Sequence, residues 1–128
     1  MTDSATGTMH GSAVMPDGWG AGTLVFELSY IQTAADTGVM NADVHAQCRN
    51  AGTTVNNTYG TAIAIDDAAV TGSNAIDTAE SANVTANGTC AGGDLLMWKV
   101  VTAIEGTSAA TTLHFIGVKM EYTTTIGD

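Results

Sequence analysis

Two β-rich runs between Gly93 and Tyr122 constrain the fold of this chain more than any other stretch. The first, Asp94 to Ile104, is an apolar run that Lys99 and Thr102 interrupt and that neither Pro nor Gly breaks. It reads as a buried strand. The second, Thr111 to Tyr122, alternates, with Ile116, Val118, Met120 and Tyr122 on one face and Gly117, Lys119 and Glu121 on the other. Successive strand side chains point to opposite faces, so this period of two marks a strand with one face buried. Joined by Glu105, Gly106, Thr107 and Ser108, the two runs predict an antiparallel hairpin. Because its first strand is apolar on both faces, that strand is expected at the centre of a sheet, its outer face covered by another subunit.

The rest of the chain supplies partners for such a sheet. Val39 to Arg49 alternates cleanly, Met40, Ala42, Val44, Ala46 and Cys48 against Asn41, Asp43, His45, Gln47 and Arg49. One of its faces is expected in the core and the polar one against water or a wet interface. Thr23 to Ile31 directs Leu24, Phe26, Leu28 and Tyr30 to one side. Met15 to Gly22, with the only Pro, reads as a turn-rich linker in which Trp19 plugs one end of the core. Shorter strands are expected within Tyr59–Ile65 and Thr78–Thr85, the latter with Ala82 and Val84 inward, with loops at Ala34–Gly38 and Asn50–Thr58. Asp66 to Thr78, which holds Asp66, Asp67 and Asp77, reads as a loop or a helical turn. Roughly seven or eight short strands with no sustained helical period predict an all-β fold, an antiparallel β-sandwich of the jelly-roll kind.

A chain of 128 residues is expected to form one core. Residues 1–12, rich in Thr, Ser, Gly and Ala, read as a flexible N-terminal arm, and 13–128 as a single sandwich domain. Alternation from Thr8 to Met15 allows the end of the arm to add an edge strand. The formal charge of -10, from 13 acidic residues against three basic ones, repels a phosphate backbone, so no nucleic-acid partner is expected. Only 12% of residues are charged, which suits a Thr- and Gly-rich β-fold packed among neighbours or exposed outside a cell. Met1 to Gly7 carries no basic residue and no apolar stretch of signal-peptide length, and no run reaches the roughly 20 apolar residues of a membrane helix. The expectation is a product made in a host cytoplasm, with no membrane partner. In that compartment Cys48 and Cys90 are expected as separate small hydrophobes unless the fold brings them together.

The turn Met15-Pro16-Asp17-Gly18-Trp19, the strand ending at Tyr30, the Asp66-Asp67 pair, Gly93-Asp94-Leu95-Leu96 and the closing run Ile116 to Tyr122 resemble a family of small structural proteins of tailed bacteriophages. The resemblance covers the chain from about Met15 onward and rests on structural residues, not on a catalytic signature. It departs after Trp98, where Thr102, Ala103, Ile104 and Glu105 stand in place of an Arg-Asp pair. It implies a jelly-roll-like virion protein associated with the head or a fibre.

Candidate chemistry is sparse. His10, His45 and His114 lack the spacing of a metal site, the three Asp residues lack the order of a calcium loop, and Ser12 lacks a nucleophile elbow. No catalytic residue, metal or cofactor is therefore expected, and the chain is read as a binding protein. Asn56, Asn83 and Asn87 stand in glycosylation-like triplets that reflect Asn and Thr abundance. The candidate partner contacts are Met9, His10, Met15 and Tyr59. The leading expectation is a capsid decoration protein, a homotrimer at three-fold sites of the head, contacting the major capsid protein or another virion protein. The alternative is a receptor-binding or fibre-tip module that stacks host glycans on Tyr59, with Trp19 and Trp98 as further aromatics.

Overall fold

The computed structural model describes residues 7–32, 39–56, 58–68, 75–102 and 113–124. Every regular element among them is a strand: β1 (Thr8–Val14), β2 (Trp19–Gln32), β3 (Val39–Arg49), β4 (Ile63–Ala68), β5 (Ile76–Glu80), β6 (Leu95–Thr102) and β7 (Leu113–Thr124). They form a four-stranded sheet in the order β1-β6-β3-β4 and a three-stranded sheet in the order β5-β2-β7, with every pairing antiparallel. The fold is the expected all-β sandwich. A jelly roll calls for four strands in each layer; the described strands supply four and three.

The predicted hairpin does not form. β6 lies between β1 and β3, so both of its edges are taken, and β7 pairs with β2 in the other sheet. The central position expected for the first run is correct. Its neighbours are β1 and β3, and the turn expected at Glu105–Ser108 lies outside the described residues. The loop at Ala34–Gly38 lies outside them too.

Thr8–Val14 pairs along its whole length with β6, from Thr8 opposite Val101 to Val14 opposite Leu95, so the end of the arm adds the edge strand that its alternation allows. Residues 1–6 lie outside the described residues. What holds β1 against β6 on the core side is Trp98, whose indole lies over Gly11 so closely that a Cβ there would collide with the ring. β2 begins at Trp19, inside the segment read as a linker, and Asp66, Asp67 and Asp77 lie on strands β4 and β5.

The core takes Leu24, Phe26, Leu28 and Tyr30 from β2, Met40, Ala42, Val44, Ala46 and Cys48 from β3, Ile65 from β4, and Leu96 and Val100 from β6. These are the alternate residues that period two assigns inward. On β7 the assignment shifts. Gly117 is opposite Ser29 and Phe115 is opposite Tyr30, so Ile116 is an extra, bulged residue. Beyond the bulge Phe115, not Ile116, turns to the core, where its ring lies 6.1 Å from that of Tyr30, and Ile116 is left 53% exposed.

The segment from Ser81 to Asp94 closes one end of the sandwich. Ser81 and Val84 donate backbone N–H groups to the Phe26 and Leu24 carbonyls of one sheet; Asn87 then donates to Ala46, and Cys48 to Asn87, in the other. Cys48 and Cys90 form a disulfide there, with Cα atoms 5.3 Å apart. The expectation of two separate thiols is thus overturned, because Cys48 faces inward at the end of β3, where this segment crosses. Trp19 packs at the same end, its indole N–H donating to the Cys90 carbonyl at 3.2 Å, as a plug of the kind expected. Ala82 is exposed, while Val84 is buried.

At the opposite end the buried Tyr30 hydroxyl donates to Asp67 at 2.7 Å and lies 3.3 Å from Asp77, tying β2 to β4 and β5. Burial, and then the two carboxylates, hold its phenol well above the ordinary tyrosine range. A folded-state pKa raised above the unfolded one contributes stability that is intact below the unfolded value and is lost as pH rises past it. The fold is expected to lose stability above about pH 10, and Tyr30→Phe to flatten that alkaline limb; denaturant midpoints across the pH range measure both. The crosslink spans a sequence separation of 42. Cys48→Ser/Cys90→Ser, or reductant, should lower unfolding free energy by about 2–4 kcal/mol in the same assay.

Candidate functional site

The register of the four-stranded sheet decides which side chains meet on its outer face. Reading across β1, β6 and β3, the rows are Val14–Leu95–Arg49, Ser12–Met97–Gln47, His10–Lys99–His45 and Thr8–Val101–Asp43. The third row gathers two histidines around one of the chain's three basic residues. Tyr59 joins it from the loop after β3: the Lys99 Nζ stands 4.7 Å from its ring centroid, and the His45 ring meets it edge-on at 6.5 Å. His45 Nδ1 donates to the Gly60 carbonyl at 3.2 Å. Gly60 is held so close to β3 and to the Thr85 carbonyl that it has no room for a Cβ.

Of the four expected partner contacts, the structure brings two to this face. His10 is exposed in the Lys99 row, and Tyr59 is half-buried beside it. Met9 points the other way from β1 and packs against the core. Met15 is corrected outright: it is 1% exposed, and its N–H donates to the Asp94 carbonyl, so no partner reaches it. As a stacking platform Tyr59 is also compromised, because the Lys99 ammonium occupies one face of its ring. Trp98 turns inward, its ring edge-on to Phe26 at 6.2 Å.

Sequence reasoning missed the first row. Val14 is 68% exposed and Leu95 38%, directly opposite each other at one end of the face. Their neighbour Arg49 is buried instead of solvated. Its Nη1 donates to the Cys48 and Asn87 carbonyls at 2.7 and 3.3 Å. Its Nη2 donates to Asn56 Oδ1, the Thr58 carbonyl and Asn87 Oδ1 at 3.1, 3.3 and 3.1 Å. Gln47, 1% exposed, donates from Nε2 to the Asn56 carbonyl at 2.9 Å. The alternating polar face of β3, expected to be wet, is therefore covered at this end by the 50–58 loop. A guanidinium with its fork of donors suits this task, since carbonyl oxygens from three segments converge on it. The signal available in sequence was an Arg followed by an Asn- and Thr-rich loop, which does not say what the Arg grips.

This face offers a paired-strand surface with exposed apolar side chains at one end and a single ammonium flanked by histidines in the middle. No group of three or more His, Cys, Asp or Glu side chains is placed to hold a metal among the described residues. His114 is exposed on the outer face of β7, opposite Ile31. Neither a protein family, nor a curated protein, nor a solved structure matches this chain.

Arg49 organises the loop that covers one end of this face, and hydrogen bonds to a charged group are worth about 1.5–3 kcal/mol. Arg49→Ala should destabilise the fold by about 2–3 kcal/mol and speed amide exchange from Asn50 to Gly60, measured by denaturation and hydrogen exchange.

Proposed function

We propose that this chain is a virion structural protein that acts by docking, a decoration protein that binds the outside of a phage head and stabilises it. The observation that carries the reading is the outer face of the four-stranded sheet. Val14 and Leu95 lie exposed side by side on hydrogen-bonded strands, next to the Arg49-anchored loop on the same face. A rigid apolar patch of this kind loses little conformational freedom when it is covered, so the gain from burial is not spent on ordering. At about 25 cal/mol per Å² of apolar area, many copies seated on a repeating lattice would resist its expansion together. The resemblance of the Met15–Trp19 turn and the Gly93–Leu96 run to structural proteins of phage heads and fibres supports a virion as the setting, and a head supplies the repeating lattice. Glycan recognition through Tyr59 is less well supported, since Lys99 covers one face of the ring.

The test is cosedimentation with phage heads stripped of decoration. Wild-type protein should saturate them and raise their melting temperature, and Val14→Asp/Leu95→Asp should weaken binding about tenfold or more while leaving the fold intact by circular dichroism. Head binding indifferent to that change, or binding to bacterial polysaccharide that Tyr59→Ala abolishes, would remove the proposal.

A further inference from the structure

The two sheets are staggered. β4 approaches β5 along one side of the sandwich. Counted from that side, β1 is the fourth strand of its sheet while β7 is the third of the other. β1 therefore overhangs β7 by one strand. No described strand lies beside β7 on its outer edge or beside β1 on its own, so among the described residues both are edge strands. The core-facing side chains along this open side are covered only in part. Met9, Trp98, Phe115, Val118 and Met120 are half-buried although they point inward, and so is Ala13.

Strand order selects the way a second copy fits. Pairing β7 with its own counterpart in an antiparallel edge would drive the overhanging β1 of each copy into β6 of the other. A two-fold axis parallel to the strands, midway between the layers, avoids this. It sets β1 beside the partner subunit's β7 and β7 beside its β1, so that each layer continues through both copies. Both β1 and β7 run from the Tyr30 end of the sandwich to the Cys48 end, and the new pairings are parallel, in otherwise antiparallel sheets. The overhangs then interlock, and Met9 and Ala13 of β1 face the same strand of the partner across the axis.

Charge favours the same side. The chain carries a net charge of -10, which opposes self-association in general. β1 has no acidic residue. On β7 the only acid is Glu121, with Lys119 at 2.7 Å. The exposed edge of β5, by contrast, carries Asp77 and Glu80 in five residues. We infer that the protein is a two-fold homodimer in which β1 and β7 of one copy pair with β7 and β1 of the other, in place of the homotrimer expected from lattice symmetry. This dimer leaves Val14 and Leu95 on an outer face, so it stands or falls separately from head binding.

Light scattering across about 1–200 µM, with crosslinking, tests it. Wild-type protein should have the mass of a dimer, and Ala13→Cys should give a covalent dimer with a bis-maleimide crosslinker about 8–10 Å long, because the two Ala13 positions face each other across the axis at the roughly 10 Å spacing of packed sheets, too far for a direct disulfide. Ala13→Glu should weaken the dimer at least tenfold, since two like charges would be buried face to face, while Ile76→Glu on the far edge should leave it unchanged. A monomer or a trimer throughout the range would overturn the inference. So would a dimer that tolerates Ala13→Glu and yields no Ala13→Cys crosslink.

Discussion

The crossing of Ser81 to Asp94 from one sheet to the other is the constraint on which the sandwich depends. A segment without regular structure is stable across the end of a core only if its backbone groups find partners. Here they find them in sequence, first in β2 through Leu24 and Phe26, then in β3 through Ala46 and Cys48. The Ser81 hydroxyl accepts the Phe26 N–H at 3.0 Å, so the pairing at β2 is reciprocal. Because the same segment is bonded to both layers, neither sheet slides on the other without breaking it. The Cys48–Cys90 disulfide then makes the second attachment covalent. Trp19, Met15 and Val84 fill the space beneath.

The polar cluster on β3 follows from that crossing. Asn87 is positioned by its own backbone bonds to β3, and only then do its carbonyl and its side-chain oxygen become acceptors for Arg49. Arg49 in turn gathers Asn56 and Thr58 from the loop. Arg49 thereby joins the loop at Asn56 and Thr58 to the crossing segment at Asn87. Tyr59 and Gly60 are delivered to His45 and Lys99 by the same arrangement. The outer face is thus a consequence of how the core is closed, and the two cannot be perturbed independently at this end.

Much of the fold was legible in the chain because one side of each long strand is buried. The inward sets of β2 and β3 match the alternation residue for residue, and the apolarity of β6 on both faces correctly marks it as central. What alternation does not encode is pairing. β6 and β7 are adjacent in sequence and both strand-like, yet the competition for β6 is won by β1 and β3, a matter of long-range packing. A bulge also leaves the pattern intact on either side while reversing its phase, which is why Ile116 looks inward in sequence and Phe115 is inward in the molecule. Of the candidate site, His10 and Tyr59 were readable as exposed-type residues near a strand and a loop. Met15 was not readable as buried, and Arg49 looked like an ordinary solvated terminus of an alternating run.

The distribution of charge ties these features to how the protein meets others. Each of its three basic residues is engaged within the chain. Arg49 is held by backbone and amide oxygens, Lys99 rests on Tyr59, and Lys119 lies between Glu121 and Glu27 at 2.7 and 3.6 Å, which raises the affinity of its ammonium for its proton. The exposed carboxylates thus set the outward field, and they disfavour anionic partners such as a phosphate backbone. Close apolar association is then confined to surfaces where few acids lie. In the described residues these include the strand β1, the end of β6 beside it and the β7 edge, where Glu121 is the one acid and Lys119 stands beside it. β1 is also where Gly11 lets Trp98 lie across the sheet, and where Met9 and Ala13 face inward but are only half-buried. The same strand thus combines low charge, an edge position among the described strands and incomplete burial, and association there satisfies all three at once.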